Sequence, residues 1–124
     1  MSNITAIHHV SVIVGDTQQA LEFYQQVLGL MVDDTRPDLG YPGVWLCIGD
    51  QQLHLLELPN PDPVSDRPPH GGRDRHLAVS VRSLDALIAD LEQHGIDYTL
   101  SRSGRRALFC RDPDGNALEC IEAG

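Results

Sequence analysis

The sequence predicts an α+β fold built from two copies of one strand–helix–strand–strand–strand unit. Three observations carry that prediction. The stretch Ile7-His8-His9-Val10-Ser11-Val12-Ile13-Val14 alternates with a period of two, as a half-buried strand does. Sixty-seven residues after His9 the pattern returns in Arg75-His76-Leu77-Ala78-Val79-Ser80-Val81, with His76 in the place of His9. Residues 50–57 also align without a gap on residues 115–122, which makes His54 and Glu119 equivalent.

The elements follow in order. In the first strand, His8, Val10, Val12 and Val14 share one face. That valine row predicts packing against a helix. His9, Ser11 and Ile13 take the other face, where a cleft would lie. Asp16 is suited to cap a helix, with Gln19 three residues on as in a capping box. Ala20, Leu21, Tyr24 and Leu28 recur at helical spacing and predict a helix over 17–28, closed by Gly29. Strands are expected at 30–35, 44–48 and 52–58, with a loop at 36–40 and a tight turn at Gly49-Asp50. Pro59, Pro61, Pro63, Pro68, Pro69 and the Gly71-Gly72 pair then exclude ladder pairing. Residues 59–72 are therefore read as a flexible linker, a spacer or a lid over a cleft.

The second unit repeats the first. Ser83 caps a helix carrying Leu84, Leu87, Ile88 and Leu91, and Gly95 ends it. Strands are expected at 96–100, 106–110 and 117–121, with Asp112-Pro113-Asp114-Gly115 as a type I turn before the last. The whole is one domain, 1–124, made of two modules at about 4–58 and 73–122.

Composition excludes several classes. No apolar run reaches membrane-spanning length, and no charged-then-hydrophobic leader opens the chain. The three cysteines, Cys47, Cys110 and Cys120, have no C-x-x-C spacing and read as reduced, mostly buried thiols of a cytoplasmic protein. A net charge of −9 argues against nucleic acid and anionic membrane surfaces as partners. A small-molecule substrate is the expected partner.

The repeat selects four residues. Two units related by pseudo-twofold symmetry would bring His9, His76, His54 and Glu119 toward one axis. Three imidazoles and a carboxylate suit one divalent ion: zinc, nickel, iron(II), cobalt or manganese. A lone histidine is more often a packed or surface residue than a ligand, and His8, His70 in a flexible loop and His94 at a helix end are read that way. Glu57 and Glu122 have the wrong parity and are read as solvated edge charges. Cys120 should point away from the site because it neighbours Glu119. Ser11 is a candidate substrate hydrogen-bonder, although a strand serine often bonds locally. Arg102, Arg105 and Arg106 are assigned to a solvated hairpin.

With these residues in view, the sequence resembles the vicinal oxygen chelate superfamily, the group of glyoxalases, bleomycin-resistance proteins and extradiol dioxygenases. The matching stretches are Ile7-His-His-Val, Ala20-Leu-Glu-Phe-Tyr-Gln-Gln-Val-Leu-Gly29, Gln52-Leu-His-Leu-Leu, Arg75-His-Leu-Ala-Val and Asp112-Pro-Asp-Gly-Asn-Ala-Leu-Glu119. The resemblance implies paired βαβββ modules curved round a metal cleft, often in a homodimer. It places the metal ligands at His9, His54, His76 and Glu119. It implies a glyoxalase-type lyase or isomerase for an α-oxo or vicinal-oxygen substrate such as a glutathione hemithioacetal, with Glu119 as ligand and base. The chain departs from that pattern at His54, where a typical bacterial glyoxalase I carries glutamate; here His54 would be the ligand or base. An iron(II) extradiol dioxygenase using His9, His76 and Glu119 is the first rival, with His54 as an outer base. Thiol transfer to an epoxide, as in fosfomycin resistance, ranks below the lyase, because it would need a basic substrate pocket after Glu119 and the chain ends five residues later. A metal-free binding protein is the rival of a different class.

Overall fold

A computed structural model describes residues 1–123. The elements are strand β1 (His9–Val14), helix α1 (Thr17–Leu21) continued by a π-helical segment (Glu22–Val27), β2 (Met31–Asp33), β3 (Gly43–Ile48), β4 (Gln51–Glu57), a 3₁₀ turn (Gly71–Arg73), β5 (His76–Val81), helix α2 (Leu84–Gln93), β6 (Tyr98–Leu100), β7 (Ala107–Arg111) and β8 (Ala117–Glu122). They form two four-stranded mixed sheets of orders β1-β4-β3-β2 and β5-β8-β7-β6, which do not close into a barrel. No helix among the described residues is long and apolar enough to cross a membrane.

The two sheets are built alike. β1 runs parallel to β4 with Ser11 opposite His54, and β5 runs parallel to β8 with Ala78 opposite Glu119. The equivalence of His54 and Glu119 is thus present in the strand register. Across each sheet the same row continues, through Trp45 and Asp33 in the first and through Phe109 and Thr99 in the second. The valine row of β1 faces the core, where Val14 is fully buried and Val10 and Val12 pack against the apolar cluster. That cluster joins Phe23, Tyr24 and Val27 with Leu84, Leu87 and Leu91 and with Cys110 and Cys120, so both modules share it. Each valine, leucine or phenylalanine there contributes roughly 1.5–3 kcal/mol when fully buried.

Both helix starts are capped as expected, by the Asp16 carboxylate on the Gln19 N–H and by the Ser83 hydroxyl on the Ala86 N–H. Glu57 and Glu122 are not solvated edge charges. Glu57 accepts the Thr17 N–H at 2.8 Å and Glu122 accepts the Leu84 N–H at 2.9 Å. Parallel pairing causes this: Glu57 lies opposite Val14 and Glu122 opposite Val81, just before each helix begins. A carboxylate there also meets the positive end of the helix dipole. Arg106 binds the other oxygen of Glu122 and also Asp85, so it belongs to this cap rather than to a free hairpin.

Two expectations need correcting. The helix expected over 17–28 widens after Leu21 into π turns, with the Leu30 N–H reaching back to the Tyr24 carbonyl. This turn carries Tyr24, whose hydroxyl donates to buried Asp112 at 2.6 Å. The linker is the second. Its later part is pinned by Arg67 and Arg111, which both bind Asp74, while Arg111 also holds the carbonyls of Pro68 and Gly115. Paired cations hold the Asp74 carboxyl well below the usual range, Arg67 first and Arg111 after it. His70 is 8% exposed, bonded to the Thr99 hydroxyl at 2.7 Å and edge-on to Phe109. It is a packed residue, not one in a flexible loop. Gly71 and Gly72 permit this, because a Cβ on either would press on Phe109.

Candidate metal centre

The four residues selected by the repeat lie as two pairs on two sheets. In the second sheet, His76 Nε2 stands 3.3 Å from Glu119 Oε1. His76 Nδ1 donates to the Asp74 carbonyl at 2.8 Å, which leaves Nε2 with its lone pair toward Glu119. Glu119 is only 6% exposed. With bonds of about 2.1 Å from each donor, a separation of 3.3 Å subtends roughly 104° at a shared ion, between octahedral and tetrahedral values. A buried carboxylate facing one bare imidazole nitrogen therefore fits half the coordination sphere of a divalent ion.

The first sheet is arranged differently. His9 and His54 stack at 4.1 Å between ring centres with planes 17° apart, and Trp45 stacks on the other side of His54 at 4.4 Å and 9°. Lone pairs lie in the ring plane, so two nearly parallel rings do not converge on one ion until one of them turns. His54 is also held in the ring plane. Gln52 must offer its amide nitrogen to the Asp33 carboxylate, 2.5 Å away, because a carboxylate only accepts. Its oxygen then accepts the Nε2–H of His54 at 2.9 Å, leaving the lone pair on Nδ1. Burial, with His9 and His8 beside it, pushes the His54 pKa below the ordinary imidazole value. His8 is not remote from this group. Its Nδ1 lies 2.9 Å from Nδ1 of His9, so the two rings share a hydrogen bond.

Among the described residues, no three His, Cys, Asp or Glu side chains are placed together to hold a metal ion. The structure therefore brings His76 to Glu119 and His9 to His54, but not all four into one group within the chain. Ser11 lines a cleft of about 630 Å³ that also reaches His76. Cys110 and Cys120 lie in the core, on the side of the sheet away from Glu119. Sequence reasoning missed Trp45, Gln52, Asp33 and Phe109. The signal for Trp45 was available in the two-residue Gly49-Asp50 turn, since Ile48 opposite Gln51 puts Trp45 opposite His54. Gly49 has φ +55°, as such a turn requires.

A model of the Glyoxalase/Bleomycin resistance protein/Dioxygenase superfamily matches residues 6–120. Glyoxylase I 4 of Arabidopsis thaliana is 30% identical over 122 residues, which span 94% of this chain and 70% of that protein. The lactoylglutathione lyase of Haemophilus influenzae is 30% identical over 124 residues, 94% of this chain and 91% of that one. A glyoxalase-family crystal structure from Bacillus anthracis superposes with a TM-score of 0.82 at 26% identity, covering 100% of this chain and 99% of the other.

Proposed function

The chain belongs to the Glyoxalase/Bleomycin resistance protein/Dioxygenase superfamily, and from that premise we propose that it is a divalent metal-dependent enzyme, a lyase or isomerase acting on a small α-oxo or vicinal-oxygen compound. The observation that carries the reading is the His76–Glu119 pair, with Nδ1 of His76 tied to a backbone carbonyl and Nε2 turned toward a buried carboxylate. His76 and Glu119 would hold the ion, with His9 and His54 supplied by the first-sheet half of a second copy. A homodimer would then form two equivalent sites.

When bound, the ion supplies Lewis-acid stabilisation of negative charge developing on a substrate oxygen. The remaining work falls to this chain's own groups. Glu119 takes a proton from the carbon next to the carbonyl on one oxygen and returns it to the neighbouring carbon. Its burial keeps water from competing for that proton. Among the described residues the Ser11 hydroxyl has no hydrogen-bond partner, and it would orient a substrate oxygen in the cleft.

Complementation tests the reading. A His9→Ala/His54→Ala chain and a His76→Ala/Glu119→Gln chain should each fail to bind zinc or nickel. A refolded equal mixture should recover about a quarter of the wild-type binding, because half the dimers carry one intact site. No recovery, or full binding by either parent, would sink the shared site.

One observation favours a second reading. His54 is stacked and hydrogen-bonded away from the pose of a ligand. His9, His76 and Glu119 would then form the two-histidine, one-carboxylate set of an iron(II) extradiol dioxygenase. Oxygen uptake with catechols by iron-loaded protein, and no isomerisation of α-oxo compounds, would put that reading first.

A further inference from the structure

Arg36 stands apart from the other arginines of the chain. Arg36, Arg67 and Arg111 are the half-buried ones. Arg67 and Arg111 are both paired with Asp74. Arg36 meets no carboxylate among the described residues, although Asp33, Asp34 and Asp38 lie within three positions of it. Asp33 is taken up by Thr35 and Gln52, and Asp38 by the Gly40 N–H. Drawing a cation partly out of water without an opposite charge costs stability, so its position calls for a reason.

The guanidinium is held in place. Its Nη2 donates to the Tyr41 carbonyl at 2.9 Å, and its Cζ stands 5.2 Å from the centre of the Tyr41 ring. The sequence leaves room for it at Gly43. A Cβ there would strike the Leu55 carbonyl and also the guanidinium, 3.0 Å from Nη2 and 3.4 Å from Cζ. Gly43 lies opposite Leu56 as Trp45 lies opposite His54, so both take the face of β3 that carries His54. Two residues along a strand span about 7 Å. Arg36 therefore sits on the His54 face of the first sheet, one row from the His54–Trp45 stack. A guanidinium has five N–H donors, and the Tyr41 carbonyl takes one. The others can hold a carboxylate through two parallel bonds.

We propose that Arg36 is the anion-binding residue of a substrate subsite on the first sheet, where it takes a carboxylate of the substrate beside the His9–His54 half of the site. The substrate class narrows to small acids that carry an α-oxo or vicinal-oxygen group. The inference rests on the enzymatic reading above for where the reacting end goes, whereas carboxylate binding at Arg36 needs no metal. The net charge of −9 does not oppose it. Salt screens that field over about 10 Å, while Arg36 meets the anion in contact. A guanidinium that only stapled residues 36–43 together would not tell an acid from its ester.

The test uses benzoylformate, an α-oxo acid, and its uncharged methyl ester, with the full chain freed of metal over a chelating resin. Binding is read from the Arg36 Nε–H and Gly43 backbone N–H signals in a proton–nitrogen NMR spectrum. Benzoylformate should shift both saturably at millimolar concentration, and the ester should bind at least tenfold more weakly. Arg36→Met, followed at Gly43, should lower benzoylformate affinity at least tenfold. Arg36→Lys, which keeps the charge and loses the fork, should retain part of it. Arg102→Met, exposed between β6 and β7, should leave it unchanged. Equal binding of acid and ester, full affinity in Arg36→Met, or no saturable shift would each overturn the proposal. The comparison of acid with ester needs only the wild-type chain, so it decides the matter even where Arg36→Met does not fold. Failure of the metal reading would appear in the complementation experiment and leave this result standing.

Discussion

The two sheets use one frame to prepare their polar residues in opposite ways. In β5 and β8, His76 is fixed by a backbone carbonyl, and its free nitrogen already faces the Glu119 carboxylate. In β1 and β4, His54 occupies the position equivalent to Glu119 but is clamped between two rings and tied through Gln52 to Asp33. On the metal reading proposed above, one half is already posed for an ion. The other must break an aromatic stack, worth about 0.5–1.5 kcal/mol per pair, before it can contribute. A shared frame therefore does not imply a shared role: the row Ser11–His54–Trp45–Asp33 and the row Ala78–Glu119–Phe109–Thr99 correspond position by position, while their chemistry diverges.

The sharpest way to break that comparison is to remove the prepared half. His76→Ala and Glu119→Gln should each lower zinc affinity by a hundredfold or more, read by competition with a chromophoric chelator, with circular dichroism unchanged. Losing Glu119 removes the buried carboxylate of the His76–Glu119 pair. His54→Ala should cost less, about tenfold, because each gain from that ligand is offset by the stack it must leave. Equal losses in the two halves would show that the stack imposes no penalty.

Smaller effects sharpen the comparison at His54 itself. Its pKa is lowered in the folded protein, first by burial and then by His9 and His8. Below the unfolded value of about 6.5, the unfolded chain therefore binds the proton more readily, and this residue makes stability fall as the pH drops through that value. Gln52→Glu adds a carboxylate beside the Nε2–H, next to that of Asp33, and should raise the His54 pKa, as a proton NMR titration would read. Trp45→Ala should raise it by less, since it relieves burial without adding a charge. No change in either variant would detach the pKa from the contacts that explain it.

The repeat was legible because apolar alternation, caps and turn residues recur at matching positions in both halves. His9, His54, His76 and Glu119 followed from that alignment alone. Their division into two pairs did not follow, since pseudo-symmetry specifies equivalence and not the distance between modules. Glu57 and Glu122 were misread because parity along a strand tells which face a side chain takes, whereas their role comes from the strand end lying beside a helix start. The stretch around His70 was misread as flexible because prolines and glycines were taken to mean freedom. Here Gly71 and Gly72 allow close packing on Phe109, and Arg67, Asp74 and Arg111 hold the chain in place.

Trp45 is the sole tryptophan of the chain. Sandwiched against His54, it makes the protein's intrinsic emission a report on a single ring-to-ring contact. An imidazole held at 4.4 Å from an excited indole competes with its fluorescence, and does so more strongly once protonated. Any event that draws His54 away should brighten or shift the signal without a label. The less prepared half of the molecule is thus the half that can be watched, and its rearrangement can be timed in a stopped-flow instrument on unmodified protein.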